Sequence, residues 1–180
     1  MTLYFITGNK HKFSEAKQIF PEIEQLDIDL IEIQSMDPKE IIAAKLQEAL
    51  KQCPGPLFCE DVSLSISAFQ GFPGPLVKFW NKSGSNQERV QRVHTQPDHS
   101  TKVVCTIGYS DGKEMHFFEG VVNGRIVMPR AASDFGFDPI FEVSGTGKTY
   151  AEMSLTEKNK CSHRYLALLE LKKFLEKSKT

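Results

Sequence analysis

The first apolar run of this chain, Leu3-Tyr4-Phe5-Ile6, stops at Thr7-Gly8-Asn9, and a helical pattern begins at Lys10 with no spacer. A short apolar run closed by a turn reads as a buried strand, so a strand here feeds straight into a helix. A chain that opens this way has to pack strands and helices in common layers. The corner also carries chemistry. A helix N-terminus presents backbone N–H groups without helical partners and the positive end of the helix dipole, and together these attract phosphate. Thr7 and Asn9 can add side-chain hydrogen bonds beside Gly8, and Lys10, His11 and Lys12 make the first turn basic. The plainer reading is an ordinary turn with Asn9 as N-cap. Cations at a helix N-terminus oppose the dipole slightly, and a bound anion turns that cost into a gain.

The rest of the chain alternates between the strand and helix periods. "QLDIDLIEI" (25–33) alternates apolar and acidic residues and reads as a half-exposed strand. Asp37 as N-cap, Pro38 at the first helical position and Glu40 closing a capping box start a helix running to about Gln52. Its buried face is Ile41, Ile42, Leu46 and Leu50. "PLFCED" (56–61) is a short strand ending in two carboxylates, and "QGFPGP" (70–75) is a breaker-rich loop before a helical stretch to about residue 95. Residues 102–120 form a β-hairpin on a two-residue Asp111-Gly112 turn, with a second turn at Asn123-Gly124. Residues 128–160 read mostly as loop with a strand near 139–143, and an amphipathic helix over 162–177, capped by Ser162, closes the chain. The expectation is one domain over residues 1–180, α/β or α+β in class, with a mixed sheet.

Composition removes several partners. Lys and Arg number 22 against 23 Asp and Glu, for a formal charge of −1. Domains that bind nucleic-acid polymers carry a net basic face, so that class is set aside. No stretch approaches the roughly 18 apolar residues of a membrane span, and the missing basic-then-apolar leader points to the cytoplasm. Cys53, Cys59, Cys105 and Cys161 are scattered, without a Cys-x-x-Cys pair, and read as reduced structural thiols.

The acidic candidates are Glu32 at one strand end and Glu60-Asp61 at another. Adjacent strands ending at one edge would bring them together, and hard oxygen ligands suit Mg²⁺. Clustered acids beside a basic corner are what a magnesium–phosphate complex requires. "SGTGKT" (144–149) ends like a nucleotide-kinase phosphate loop, but Glu142 stands where that pattern needs its first glycine. In "DFGFDP" (134–139), Phe135 and Phe137 alternate, so one can pack in a core while the other stacks on a base; the plainer reading packs both in the core. His163 and Arg164 open the last helix as cations on its positive pole, which suits recognition of an anion or a carbonyl, while the plainer reading of the histidine is a surface residue.

"FITGNKHK", "DLIEIQ" (29–34), "EIIAAKLQEA" (40–49), "CEDVSL" (59–64), "GFPGPLVKFW" (71–80), "RIVMPR" with "DFGFDP", and "TYAEMSLTEKNKCSHRYLALLEL" (149–171) follow one another in this order. In that order they resemble the inosine triphosphate pyrophosphatase family, and the resemblance spans essentially the whole chain. It implies an elongated α/β fold, two lobes around a long mixed sheet with a central cleft, assembled as a homodimer. The implied activity is Mg²⁺-dependent hydrolysis of ITP, dITP and XTP to the monophosphate and pyrophosphate, with Mn²⁺ as a substitute metal.

Carried over residue by residue, Thr7, Gly8, Asn9, Lys10, His11 and Lys12 correspond to the triphosphate loop, with Lys10 a variable position. Glu32 and Asp61 correspond to the metal-binding acids. Asp61 is the first choice for general base and Glu60 the second. Lys45 and Lys78 correspond to cleft lysines, and Val62 stands where the family has Ser or Thr. Phe135 corresponds to the aromatic that stacks on the purine, within a base loop that includes Gly136, Phe137 and Asp138. Phe137 replaces a tryptophan. Lys158, His163 and Arg164 correspond to residues reading the oxygen edge of the base, with Arg164 expected at the surface. The competing readings are a nucleotide-binding module without catalysis and a kinase built on the "SGTGKT" loop.

Overall fold

The computed structural model describes residues 2–178. Its strands are β1 (Tyr4–Ile6), β2 (Glu24–Leu26), β3 (Leu57–Ile66), β4 (Pro73–Gly74), β5 (Ser100–Ser110), β6 (Met115–Ile126) and β7 (Phe141–Val143). The helices are α1 (Lys10–Lys17), α2 (Pro38–Gln52), α3 (Val77–Lys82), α4 (Asn86–His94), α5 (Leu155–Cys161) and α6 (His163–Lys177). The strands form one mixed sheet in the order β2-β1-β3-β5-β6-β7, with β4 paired to β3. β1 runs parallel to both β2 and β3, whereas β4 on β3 and β7 on β6 are antiparallel. The fold is α/β. The chain divides into two compact units, Met1–Asp61 with Cys105–Gly120 and His163–Thr180, and Val62–Val104 with Val121–Ser162.

In the first unit, the pleat of β1 and β3 separates two apolar layers. Phe5 stacks on Phe58 with ring centroids 4.5 Å apart, and Phe20 lies against Phe58. The opposite face joins Ile6, Leu57 and Cys59 to Ile42, Leu46 and Ala49 of α2. Asp37 caps α2 as expected, accepting from the Lys39 N–H, but Glu40 accepts the Ser35 hydroxyl instead of closing a capping box. The 25–33 strand is shorter than its pattern implies, since β2 ends at Leu26. The alternation itself persists in extended chain: Leu26, Ile28 and Leu30 pack toward the α2 core, while Asp27, Asp29 and Ile31 face solvent. Periodicity reports which side is buried, not whether a neighbouring strand supplies hydrogen bonds.

Four further boundaries differ. The hairpin loop spans residues 111–114, with Asp111 Oδ1 accepting from the N–H groups of Lys113 and Glu114. The stretch to residue 95 splits into α3 and α4, and Ser85 and Glu88 form the capping box of α4. α5 occupies part of the expected 128–160 loop, started by a Ser154–Glu157 capping box. Asn123-Gly124 is no turn, because β6 runs through it. A Cβ at Gly124 would come within 2.2 Å of the Glu142 carbonyl oxygen and 2.7 Å of the Phe141 ring, so this glycine admits β7.

Gly120 does the same for α6. A Cβ there would lie 2.0 Å from the His163 carbonyl oxygen and 2.5 Å from the Ala167 nitrogen, so the helix backbone rests on β6. Gly120→Ala is therefore expected to lower the unfolding free energy by about 1–3 kcal/mol, the usual range for overpacking. Denaturant titration of the two proteins measures this, and an unchanged midpoint would contradict the seating of α6.

Candidate active site

Successive side chains of a strand point to opposite faces, and β3 applies this to Glu60 and Asp61. Glu60 lies on the face of Phe58, toward α1 and α6; Asp61 lies on the face of Cys59, toward α2. The two neighbouring carboxylates therefore enter different environments.

Glu60 is buried, 5% exposed, and meets Arg164, which is 1% exposed. Arg164 Nε donates to Glu60 Oε2 and Oε1 at 2.8 and 2.9 Å, and its NH2 group donates to Oε1 at 2.8 Å. The NH1 group of Arg164 donates to Glu15, a buried carboxylate of α1. Lys12 Nζ stands 3.1 Å from Glu60 Oε1, and the Cys105 thiol donates to Oε2 at 3.7 Å. Burial pushes the Glu60 carboxyl up, but Arg164 and Lys12 outweigh it and hold it well below the usual carboxylate range. A carboxylate so held is a poor proton acceptor, and the geometry does not suit Glu60 to the base role expected of it. It anchors instead Lys12, α1 and α6. Arg164 is likewise not the surface cation expected, because two buried acids pull it inward.

Asp61 has the opposite setting. Its Oδ1 lies 3.8 Å from Lys45 Nζ, and its buried Oδ2 has no hydrogen-bond partner. Lys45 also touches Glu32 Oε1. Burial pushes the Asp61 carboxyl up to about 6; Lys45 and Lys12 oppose the rise, and Glu32 and Glu60 reinforce it. Burial lowers the Lys45 pKa, but Glu32 and Asp61 more than offset this and leave it raised. Glu32 and Asp61 thus come together around one ammonium, although Glu32 sits in extended chain past β2 and not at a strand end. Among the described residues, no group of three or more His, Cys, Asp or Glu could cage a metal. An orphaned buried oxygen and a second carboxylate fit Mg²⁺, which takes one or two protein carboxylates and completes its shell with water and phosphate oxygens.

At the opening corner, Asn9 caps α1, its Oδ1 accepting the N–H groups of His11 and Lys12 at 2.9 and 3.2 Å. The Asn9 N–H donates to Thr7 Oγ1. The chain itself satisfies first-turn donors that the sequence suggested were open to an anion. Lys10 and His11 are exposed, as is Gly8. His163, the first residue of α6, is buried and not the surface residue expected.

In the second unit, Val62 continues β3 half-buried and Lys78 is exposed on α3. Phe137 is buried and meets Phe141 edge-on, whereas Phe135 is half-buried. Lys158 Nζ stands 4.7 Å from the centre of the Phe135 ring and 5.4 Å from that of Tyr150, and donates to Asp138 Oδ2 at 2.7 Å. Gly136 takes φ +58 between the two aromatics, a left-handed turn suited to glycine. The "SGTGKT" segment is a turn after β7: Thr149 bridges to Glu142, and Lys148 Nζ pairs with Glu157 at 2.8 Å. No α-helix follows Thr149 directly, as a phosphate loop requires; a 3₁₀ turn at Tyr150–Glu152 does.

The residue that sequence reasoning missed is Glu15. It lies three positions after Lys12, on the same helical face, and that spacing beside an inward-facing Ala16 was the available signal.

The model of the Ham1 family matches residues 3–174. A protein named inosine triphosphate pyrophosphatase from Schizosaccharomyces pombe is 40% identical, over 99% of this chain and 97% of its own. One of the same name from Mycosarcoma maydis is 39% identical, over 97% and 94%. Among solved structures, the Ham1 protein of Staphylococcus aureus superposes with a TM-score of 0.82 at 28% identity, covering 98% of this chain and all of its own. A Coxiella burnetii HAM1 protein gives 0.83 at the same identity and coverage.

Removing one partner of a buried ion pair strands the other charge, at about 3–5 kcal/mol. Arg164→Met is expected to destabilise the fold by that amount, because Glu60 and Glu15 both lose its guanidinium. Denaturant titration measures this. Stability within about 1 kcal/mol of wild type would show that Arg164 is held loosely, as exposed pairs are.

Proposed function

The chain belongs to the Ham1 family, and on that premise we propose that it hydrolyses non-standard purine nucleoside triphosphates, ITP, dITP and XTP, to the monophosphate and pyrophosphate. The observation carrying this reading is Asp61, a buried carboxylate with an orphaned oxygen and an upward-shifted pKa, beside Glu32, Lys45 and the Lys12 corner. A base poised near neutral pH is suited to taking a proton from water. Asp61 is assigned that role, with water attacking the α-phosphorus. Glu32 and Asp61 would hold Mg²⁺, or Mn²⁺ in its place, which when bound neutralises phosphate charge and polarises water. Lys12 and Lys45 neutralise charge on the departing pyrophosphate, the main task of side chains in phosphoryl transfer, and Lys78 is assigned the same task. Thr7, Gly8 and Asn9 shape the loop that presents Lys12.

For the base, the candidates are Phe135 as stacking partner and Asp138 with Lys158 for polar recognition. Hypoxanthine presents a 6-carbonyl acceptor where adenine presents an amine donor. Lys158, turned as a donor to that position, disfavours the amine by up to about 10⁴-fold. The reading includes a homodimeric, cytoplasmic enzyme, as the family resemblance implies. No helix of the described residues is long and apolar enough to cross a membrane.

The test is pyrophosphate release from ITP with Mg²⁺, run beside ATP and GTP. Release from ITP in clear excess is expected, and its absence would favour a binding module. Asp61→Asn is expected to keep the fold and lose about 10²–10⁴ in kcat, the usual worth of a positioned base. A variant within about threefold of wild type would remove Asp61 from the mechanism. Lys148→Ala, which loses only an exposed ion pair, is expected to change ITP hydrolysis by less than about fivefold; a collapse of catalysis in a folded variant would revive the phosphate-loop kinase.

A further inference from the structure

Lys45 stands where the proposed function puts a metal ion. Its ammonium touches Glu32 Oε1, lies 3.8 Å from Asp61 Oδ1, and its side chain is only 15% exposed. Two carboxylates gathered at one place, Asp61 largely buried and Glu32 at the rim, repel one another unless a cation separates them. Here α2 supplies that cation. Ile42, three residues before Lys45, and Leu46, next after it, are both fully buried against β3, so the stem starts from a rigid part of the helix.

We propose that Lys45 is a built-in counter-cation: it holds Glu32 and Asp61 in the nucleotide-free protein and keeps a divalent cation out until a triphosphate arrives. The inference rests on the assignment of Glu32 and Asp61 as metal-holding residues. Mg²⁺ needs oxygens in near-octahedral array at about 2.0–2.1 Å and dehydrates reluctantly, and an ammonium in contact with Glu32 obstructs that approach. Two carboxylates and one ammonium leave a single negative charge, which is little attraction for a divalent ion. Among the described residues no larger ligand group competes for it. A triphosphate changes the balance. Its oxygens offer the flexible ammonium a more highly charged partner, and the swing of Nζ from carboxylate to phosphate frees both acids together. Metal and nucleotide then enter as one complex.

Mn²⁺ binding, followed by loss of the free-ion electron paramagnetic resonance signal, tests this without turnover. Nucleotide-free wild-type protein is expected to bind Mn²⁺ weakly, and far more tightly with the non-hydrolysable α,β-imido analogue of ITP. Lys45→Met is expected to bind Mn²⁺ alone at least about tenfold more tightly than wild type, since a cation within ion-pair range is gone. Lys45→Gln is the second variant should the first fail to fold by melting, and Lys45→Arg, which keeps the charge, is expected to match wild type. Adding Asp61→Asn to Lys45→Met is expected to erase the gain. Tight Mn²⁺ binding by nucleotide-free wild type, or no gain in either neutral variant while wild type still takes up Mn²⁺ with the analogue, overturns the counter-cation. No uptake by any of these proteins even with the analogue overturns the metal assignment itself, and this inference with it.

Discussion

The two-residue period of β3 decides how this protein uses its acids. Glu60 and Asp61 are adjacent in sequence, and a strand cannot send adjacent side chains to one place. One carboxylate goes to the α1 and α6 face, where Arg164 meets it almost entirely out of water. The other goes to the α2 face, where one oxygen is left without a partner. A shift of one residue in β3 would exchange the two roles.

Burial alone pushes both carboxyls upward, yet the outcomes are opposite. At Glu60, a guanidinium and an ammonium overcome desolvation and keep the group ionised. At Asp61, Lys45 and Lys12 only moderate it, and two neighbouring carboxylates add to the rise. Pairs of acids driven apart by their surroundings are a recurring basis for dividing labour between a permanent charge and a proton acceptor. The permanent charge serves position: Glu60 holds Lys12 at 3.1 Å, and through Arg164 and Glu15 it ties the basic corner of α1 to the start of α6.

Glycine does comparable work in the sheet. Gly120 and Gly124 lie on one strand, the first admitting a helix backbone and the second a neighbouring strand. Asn-Gly usually signals a hairpin turn, and its meaning at 123–124 changes because β7 pairs alongside. The kinase-like "SGTGKT" owes its glycines to the turn after β7, where Gly145 and Gly147 take positive φ.

Sequence alone determined whatever depends on near neighbours: β1 and its turn, the Asp37 and Asn9 caps, α2 and α6. Seven ordered motifs also carried the family and hence the activity. The 25–33 alternation was legible as a buried side but not as an unpaired one, since pairing depends on another strand. Only the tertiary structure decided that Glu60 and Arg164 form a buried pair, because they stand 104 residues apart, and that Glu15 joins Arg164 from 149 residues away. A charge at a helix start reads as solvated until the fold brings acids over it. Burial of a charge is a property of its partners, and partners at that distance leave no periodic trace in the chain.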